Sequence, residues 1–190
     1  KKEKQLKKAL EDYIANYPNG LNIKKVSYLL GEILYTNEKW DESIQNFKRV
    51  IRGSRSNYTE KSIVRICQSL IELNNYSEAI IYLERLEKSA EVDENLIYSV
   101  SNLMRIYYES KDYDKAITYG DKLISLKNIN DKVKTDANLF IARSSVNLGD
   151  KNRALDAYIK LENDSNREFA VEALYYKALN YFDKKDYLNS

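Results

Sequence analysis

The chain has 190 residues, with 31 basic and 29 acidic side chains for a net charge of +2, and it contains no His, one Cys, one Pro and five Gly but 17 Tyr. Without His, neither a Ser-His-Asp nor a Cys-His nucleophile set can be assembled, the usual zinc ligand is missing, and neither glycine-rich phosphate-binding motif occurs. The near-zero net charge gives no electrostatic reason to expect nucleic acid or an anionic membrane, and no apolar run approaches the ~18 residues of a spanning helix.

Taken in chain order, residues 1–20 place Leu6, Leu10, Tyr13 and Ile14 at helical spacing and end in the turn Tyr17-Pro18-Asn19-Gly20. Beyond them the sequence repeats. A small residue recurs at 43, 79, 116, 154 and 190, in steps of 36, 37, 38 and 36, each time after a short polar segment such as Asp112-Tyr113-Asp114-Lys115 or Asp186-Tyr187-Leu188-Asn189. Ahead of each small residue runs an amphipathic helix with its apolar face at i, i+3, i+4 and i+7. Those faces are Ser27, Leu30, Gly31 and Leu34 in residues 24–59, then Ile63, Ile66, Cys67 and Leu70 in 60–96. Next come Val100, Leu103, Met104 and Tyr107 in 97–134, and Asn138, Ile141, Ala142 and Ser145 in 135–170. Residues 171–190 begin a fifth repeat with Leu174, Lys177, Ala178 and Tyr181. A second helix follows each turn, as in Ser43, Ile44, Phe47, Val50 and Ile51, or Ala79, Ile80, Leu83 and Leu86.

This pattern resembles the tetratricopeptide repeat family. The residues SYLLGEILYTNEKWDESIQNFKRVI, from Ser27 to Ile51, carry the resemblance best, and Ala142, Gly149-Asp150, Ala154 and Tyr158 carry it in the fourth repeat. The small residues Gly31, Cys67 and Ala142 stand where paired helices cross closely. Four positions depart from the pattern: Met104 is large at the crossing, Gly120 replaces an aromatic residue of the second helix, Lys177 takes an apolar site, and the internal repeats lack the closing Pro. The resemblance implies an all-α solenoid of antiparallel helix pairs, coiled into a right-handed superhelix of about 10–11 helices. Residues 1–20 then read as the second helix of a preceding repeat and 171–190 as a truncated one, so the chain is expected to be an excerpt of a longer array. The turn at Tyr17-Pro18-Asn19-Gly20, the repeat length and the YLLGEILY run also resemble repeats of bacterial periplasmic proteins, including outer-membrane assembly lipoproteins. That likeness implies a bacterial periplasmic or cell-envelope location.

In the family the first helices line a concave face. Carried onto this sequence, the protein-binding positions are Tyr28 and Tyr35 in the first repeat and Arg65 and Gln68 in the second. Tyr98, Asn102, Arg105 and Tyr108 follow in the third, with Arg143 and Tyr175 in the fourth and fifth. Rigid aromatic area beside adaptable polar groups is the composition of protein-binding surfaces, although tyrosines also serve simply to pack helices. Arg65, Arg105 and Arg143 offer guanidinium groups for a carboxylate or an acidic peptide; the alternative is that they pair with local carboxylates such as Glu32, Glu72 or Glu109. The family's carboxylate clamp is not met, because Leu29 stands where that clamp needs Asn. Arg49, Arg52 and Arg55 gather where a second helix ends, where cations offset the helix dipole. Trp40, Tyr76, Tyr113 and Tyr187 open each second helix as wedges, and Cys67 reads as a small packing residue.

The functional expectation is a non-catalytic scaffold with no cofactor and no metal, holding a peptide or protein segment and neither binding nucleic acid nor inserting into a membrane. The competing expectation is an architectural spacer whose activity lies in other domains.

Overall fold

The computed structural model describes residues 2–162 and 166–183, and their only regular elements are helices. In order these are α1 (Lys2–Asn16), α2 (Ile23–Thr36), α3 (Trp40–Val50), α4 (Thr59–Glu72), α5 (Tyr76–Ser89), α6 (Asp93–Glu109), α7 (Tyr113–Ser125), α8 (Asp131–Leu148), α9 (Lys151–Ile159) and α10 (Arg167–Asp183). The chain divides into two compact units, Lys1–Asn95 and Leu96–Ser190. In the first, each helix from α1 to α5 packs on the next; in the second, α7 packs on α8, α8 on α9 and α9 on α10.

The helical phase of the sequence sets what is buried. All sixteen face residues of the first four repeats, from Ser27 to Ser145, are buried in α2, α4, α6 and α8. Ser43, Ile44, Phe47 and Val50 are buried on α3 and Ala79, Leu83 and Leu86 on α5. In residues 1–20 Leu10 of α1 joins Leu30 and Leu34 in one apolar cluster, with Ile14 against it, whereas Leu6 of the expected face is 50% exposed.

Each turn from a first to a second helix is built alike. After the last helical residue the backbone enters the left-handed region at Glu38 (φ 58°), Asn74 (φ 54°), Lys111 (φ 63°) and Gly149 (φ 77°). The next residue's N–H then reaches back five positions: Lys39 to the Leu34 carbonyl at 2.9 Å, Asn75 to Leu70 at 2.8 Å, Asp112 to Tyr107 at 2.9 Å and Asp150 to Ser145 at 2.9 Å. This is the glycine-favouring helix stop, yet only one of the four positions is Gly. Three of the second helices then start on a side-chain cap: Asn75 accepts from the Glu78 N–H, Asp112 from Lys115 and Asp150 from Arg153. Because an L side chain at positive φ costs about 1 kcal/mol, Glu38→Gly and Lys111→Gly are each expected to raise stability by about 0.5–1 kcal/mol. Urea unfolding followed by circular dichroism measures this, and a loss of stability in either variant would contradict the strained-turn account.

Two departures from the repeat pattern prove to be one compensation. In the first repeat a Cβ on Gly31 would lie 2.7 Å from the Phe47 ring, so the glycine exists to admit the aromatic residue of the partner helix. In the third repeat the sizes are exchanged: Met104 stands at the Gly31 position, and Gly120 stands at the Phe47 position. A Cβ on Gly120 would lie 2.7 Å from Ile141 Cγ1 and 3.4 Å from Met104 Sδ. Gly120 therefore lets α7 approach the first helices on either side of it. Lys177, the third departure, donates its ammonium to both Glu162 carboxylate oxygens at 2.7 and 3.0 Å.

The fifth repeat corrects the expected face. Leu174 is 47% exposed, whereas α10 buries Ala173 (1% exposed) and Asn180 (4% exposed). Ala173 joins the cluster of Ile141, Ala142, Ala157, Tyr158 and Leu161, so α10 is held by the preceding helix pair. The face through Leu174 is the one a following second helix would cover in this pattern, and the turn and small residue expected at 186–190 lie outside the described residues.

Candidate protein-binding surface

In the first compact unit the structure brings Tyr28, Tyr35, Arg65 and Gln68 together around Glu32. Arg65 of α4 forks onto Glu32 of α2, Nε to Oε1 at 2.9 Å and Nη2 to Oε2 at 3.0 Å, while its Nη1 donates to Gln68 Oε1 at 3.0 Å. The same guanidinium carbon lies 4.3 Å from the Tyr35 ring centroid, and Trp40 meets the Tyr35 ring edge-on at 5.0 Å. The hydrogen bonds to Glu32 raise the Arg65 pKa further. The Tyr28 ring sits 5.0 Å from Tyr58 and 5.8 Å from Phe47. Burial is the main cause that raises its hydroxyl pKa, with the Glu32 charge adding to it and Arg65 opposing.

The second compact unit holds the remaining positions. Asn102 donates from Nδ2 to the Tyr98 carbonyl at 2.8 Å and accepts from Arg105 Nη2 at 2.8 Å. Tyr108 is wedged between Tyr113 (centroids 5.8 Å apart) and Phe140 (5.0 Å). Arg143 forks onto Glu172 of α10, Nε to Oε1 at 2.9 Å and Nη2 to Oε2 at 2.6 Å, and the Tyr158 hydroxyl donates to Glu172 Oε1 at 2.7 Å. The Arg143 bonds, then burial acting the other way, set the Glu172 pKa, which lies below the ordinary carboxylate value. Tyr175 is 69% exposed.

Of the three arginines, Arg65 and Arg143 thus hold carboxylates of the chain itself and join neighbouring first helices. Glu32 is one of the partners expected from the sequence; Glu172 is not. Its signal was the spacing: Arg65–Glu32 spans 33 residues and Arg143–Glu172 spans 29, each somewhat under one repeat length, which is the offset that faces adjacent first helices. Arg49, Arg52 and Arg55 share no common target. Arg49 donates to Asn46, and Arg55 donates to the Ser89 carbonyl and pairs with Glu60 and Glu91. Trp40 and Tyr113 do wedge against the first helix of their own pair, and Tyr76 instead donates its hydroxyl to Asn74 at 3.1 Å. Burial pushes the Cys67 thiol up to about 12, which leaves it protonated and unreactive at neutral pH.

A cleft of about 540 Å³ lies between α1, α2 and α3 and was not foreseen. Ile14, Pro18, Leu30 and Leu34 line it together with Glu11, Glu42 and Arg49, and none of the expected binding positions does. Among the described residues no group of His, Cys, Asp and Glu is arranged to hold a metal ion, and no helix is long and apolar enough to cross a membrane.

No family model matches this sequence, and no curated protein does. Among solved structures, the chain is similar to a tetratricopeptide repeat protein from Parabacteroides merdae ATCC 43184, with a TM-score of 0.64 and 16% identity over 97% of this chain and 72% of that one. At that identity the likeness is one of fold. The chain has an all-α, tetratricopeptide-repeat-like fold.

Proposed function

We propose that this chain is a non-catalytic scaffold that binds a segment of another protein along the wall of its first helices. What supports the reading is that the tyrosines of that wall are held rigid. Tyr28, Tyr35 and Tyr108 each have a neighbouring ring within 5.0 Å, so they present aromatic area with little rotamer freedom left to lose on binding. Hydrogen-bonding groups from Gln68, Asn102 and Arg105 stand on the same helices.

The test is selection of peptides from a displayed random 12-residue library on the full chain, followed by calorimetric titration of those selected. Tyr35→Ala and Tyr108→Ala are each expected to weaken binding about tenfold or more, the range of aromatic hot spots, with the helical circular-dichroism spectrum retained. Peptides that bind these variants as tightly as the parent chain would sink the reading. One observation favours the spacer alternative: Arg65 and Arg143 are engaged in joining neighbouring repeats. Substituting them would therefore disturb packing as well as any partner, and Arg105 is the arginine that separates the two readings.

A further inference from the structure

We infer that the cleft between α1, α2 and α3 is a second docking site, which takes an aromatic side chain of a partner protein together with a Lys or Arg next to it. The site is additional to the wall of first helices, none of whose proposed positions lines it, and does not rest on that reading.

The repeat itself shows why a cleft opens here. Three residues after the small position of the second helix, α5 carries Tyr82 and α7 carries Tyr119, but α3 carries Asn46. Both tyrosines are half-buried. Tyr82 lies under Lys48 of α3, whose ammonium is 5.7 Å from its ring centroid, and Tyr119 stacks on Tyr107 of α6 with centroids 5.5 Å apart. In the first repeat Leu34 holds the Tyr107 place. Asn46 instead folds back on α3, where its amide donates to the Glu42 carbonyl at 2.8 Å and accepts from Arg49 Nη1 at 3.0 Å. The volume of a ring is thus missing over Leu34. What remains is the cleft of about 540 Å³, with Leu30 and Leu34 of α2 and Ile14 of α1 as its apolar lining. In α9 the same place is Ala157, buried in an apolar cluster against which Ile124 packs. A partner's Tyr, Phe or Trp ring suits the apolar lining and supplies what the chain omits.

Charge decides what accompanies the ring. Glu11 of α1 and Glu42 of α3 line the cleft from its two sides, each with about half of its side chain exposed. Lys7 stands 3.5 Å from Glu11 and Lys39 stands 3.2 Å from Glu42, each about a turn away in sequence. Ion pairs of that exposure are weak, so a partner's cation can share or replace them. Arg49 also lines the cleft, two turns or about 10 Å further along α3 than Glu42, and repels a cation at its own end. The order is therefore fixed: the ring over Leu34, and the basic side chain toward Glu11 and Glu42.

A displayed random peptide library is selected on the full chain and then depleted on Asn46→Tyr, which puts back the ring of α5 and α7 and fills the cleft. Ala15→Phe, at an exposed position on the α1 side of the cleft, is a second block that serves if Asn46→Tyr loses the helical circular-dichroism spectrum. Peptides that survive depletion are expected to carry Tyr, Phe or Trp next to Lys or Arg. In calorimetric titrations, replacing the aromatic residue by Ala should weaken binding about tenfold or more. Replacing the basic residue by Gln, or Glu11 and Glu42 together by Gln, should weaken it about fivefold, and Arg49→Gln should leave it equal or tighter. Tyr35→Ala and Tyr108→Ala should bind these peptides as the parent does. The docking site is overturned if every selected peptide binds the blocked variants equally well, if the survivors lack an aromatic residue, or if they ignore the loss of both carboxylates. In each of those cases, peptides that lose affinity on Tyr35→Ala or Tyr108→Ala still leave the wall reading standing. Selection of no peptide at all overturns both.

Discussion

Phe47→Ala is expected to lower the stability of the chain by about 3–5 kcal/mol, the range for emptying a fully buried aromatic site. Phe47 is 0% exposed, and its ring fills the space that Gly31 leaves in the facing helix. The converse change is also expected to destabilise. In an isolated helix Gly→Ala gains up to about 1 kcal/mol of propensity. At Gly31 the new methyl would meet three ring atoms of Phe47 at 2.7, 2.9 and 3.0 Å, and overpacking of that kind costs about 1–3 kcal/mol. Gly31→Ala combined with Phe47→Leu should therefore cost less than the sum of the two single changes, because the second repeat already pairs a small Cys67 with Leu83, both 0% exposed. Trp40, the single tryptophan, packs on Tyr35 in the same repeat, so its fluorescence in urea reports this region directly. Additive single effects would refute the proposed exchange of volume between the two positions.

The same contact explains what could be read from the sequence. Helical phase and repeat length are properties of neighbouring residues, and all sixteen face residues they assign in the first four first helices are buried, although each of α4, α6 and α8 buries further residues beside them. Volume compensation is not local. Met104 and Gly120 look like two separate exceptions until their helices are seen to pack, and only then do they read as one large-for-small exchange. The left-handed residues at Glu38, Asn74 and Lys111 were hidden for a related reason. The tertiary hairpin forces the turn, and it tolerates a side chain where propensity alone would ask for Gly. At the binding wall the sequence could place Arg65, Arg105 and Arg143 on the first helices, but it could not separate them. What separates them is the reach of their partners: Glu32 and Glu172 extend to Arg65 and Arg143 from a neighbouring helix, whereas Arg105 donates to Asn102 on its own helix. On α10 the buried face is the one that meets the preceding helix pair, through Ala173, and periodicity alone does not say which apolar face a neighbouring helix meets.

Reach also governs Glu60, at the start of α4, whose replacement by Gln is expected to cost about 2–3 kcal/mol, because charged hydrogen bonds are lost and donors are left facing a donor. Its carboxylate, 12% exposed, accepts from the Glu91 N–H at 3.1 Å, the Val92 N–H at 3.3 Å, Asn95 Nδ2 at 2.8 Å and Arg55 Nη2 at 3.0 Å. One side chain thus ties the start of α4 to the segment that leads into α6. Burial alone would raise the Glu60 pKa. The bonds from Asn95, Glu91 and Val92, with the Arg55 charge, outweigh it and bring the pKa below 4.5. The unfolded chain therefore takes up this proton first as the pH falls. The stabilisation is fully present above the unfolded value of 4.5 and is lost progressively as the pH drops from there through the lower folded value. Glu172, whose pKa is also lowered, contributes to the same acid limb. Glu60→Gln should consequently lower the thermal midpoint at pH 7 and flatten, without abolishing, its fall as the pH drops below 4.5. Faster hydrogen exchange at the Glu91 and Val92 amides should accompany it. Retention of the parent's full acid sensitivity in that variant would show that Glu60 is not the latch its hydrogen bonds describe.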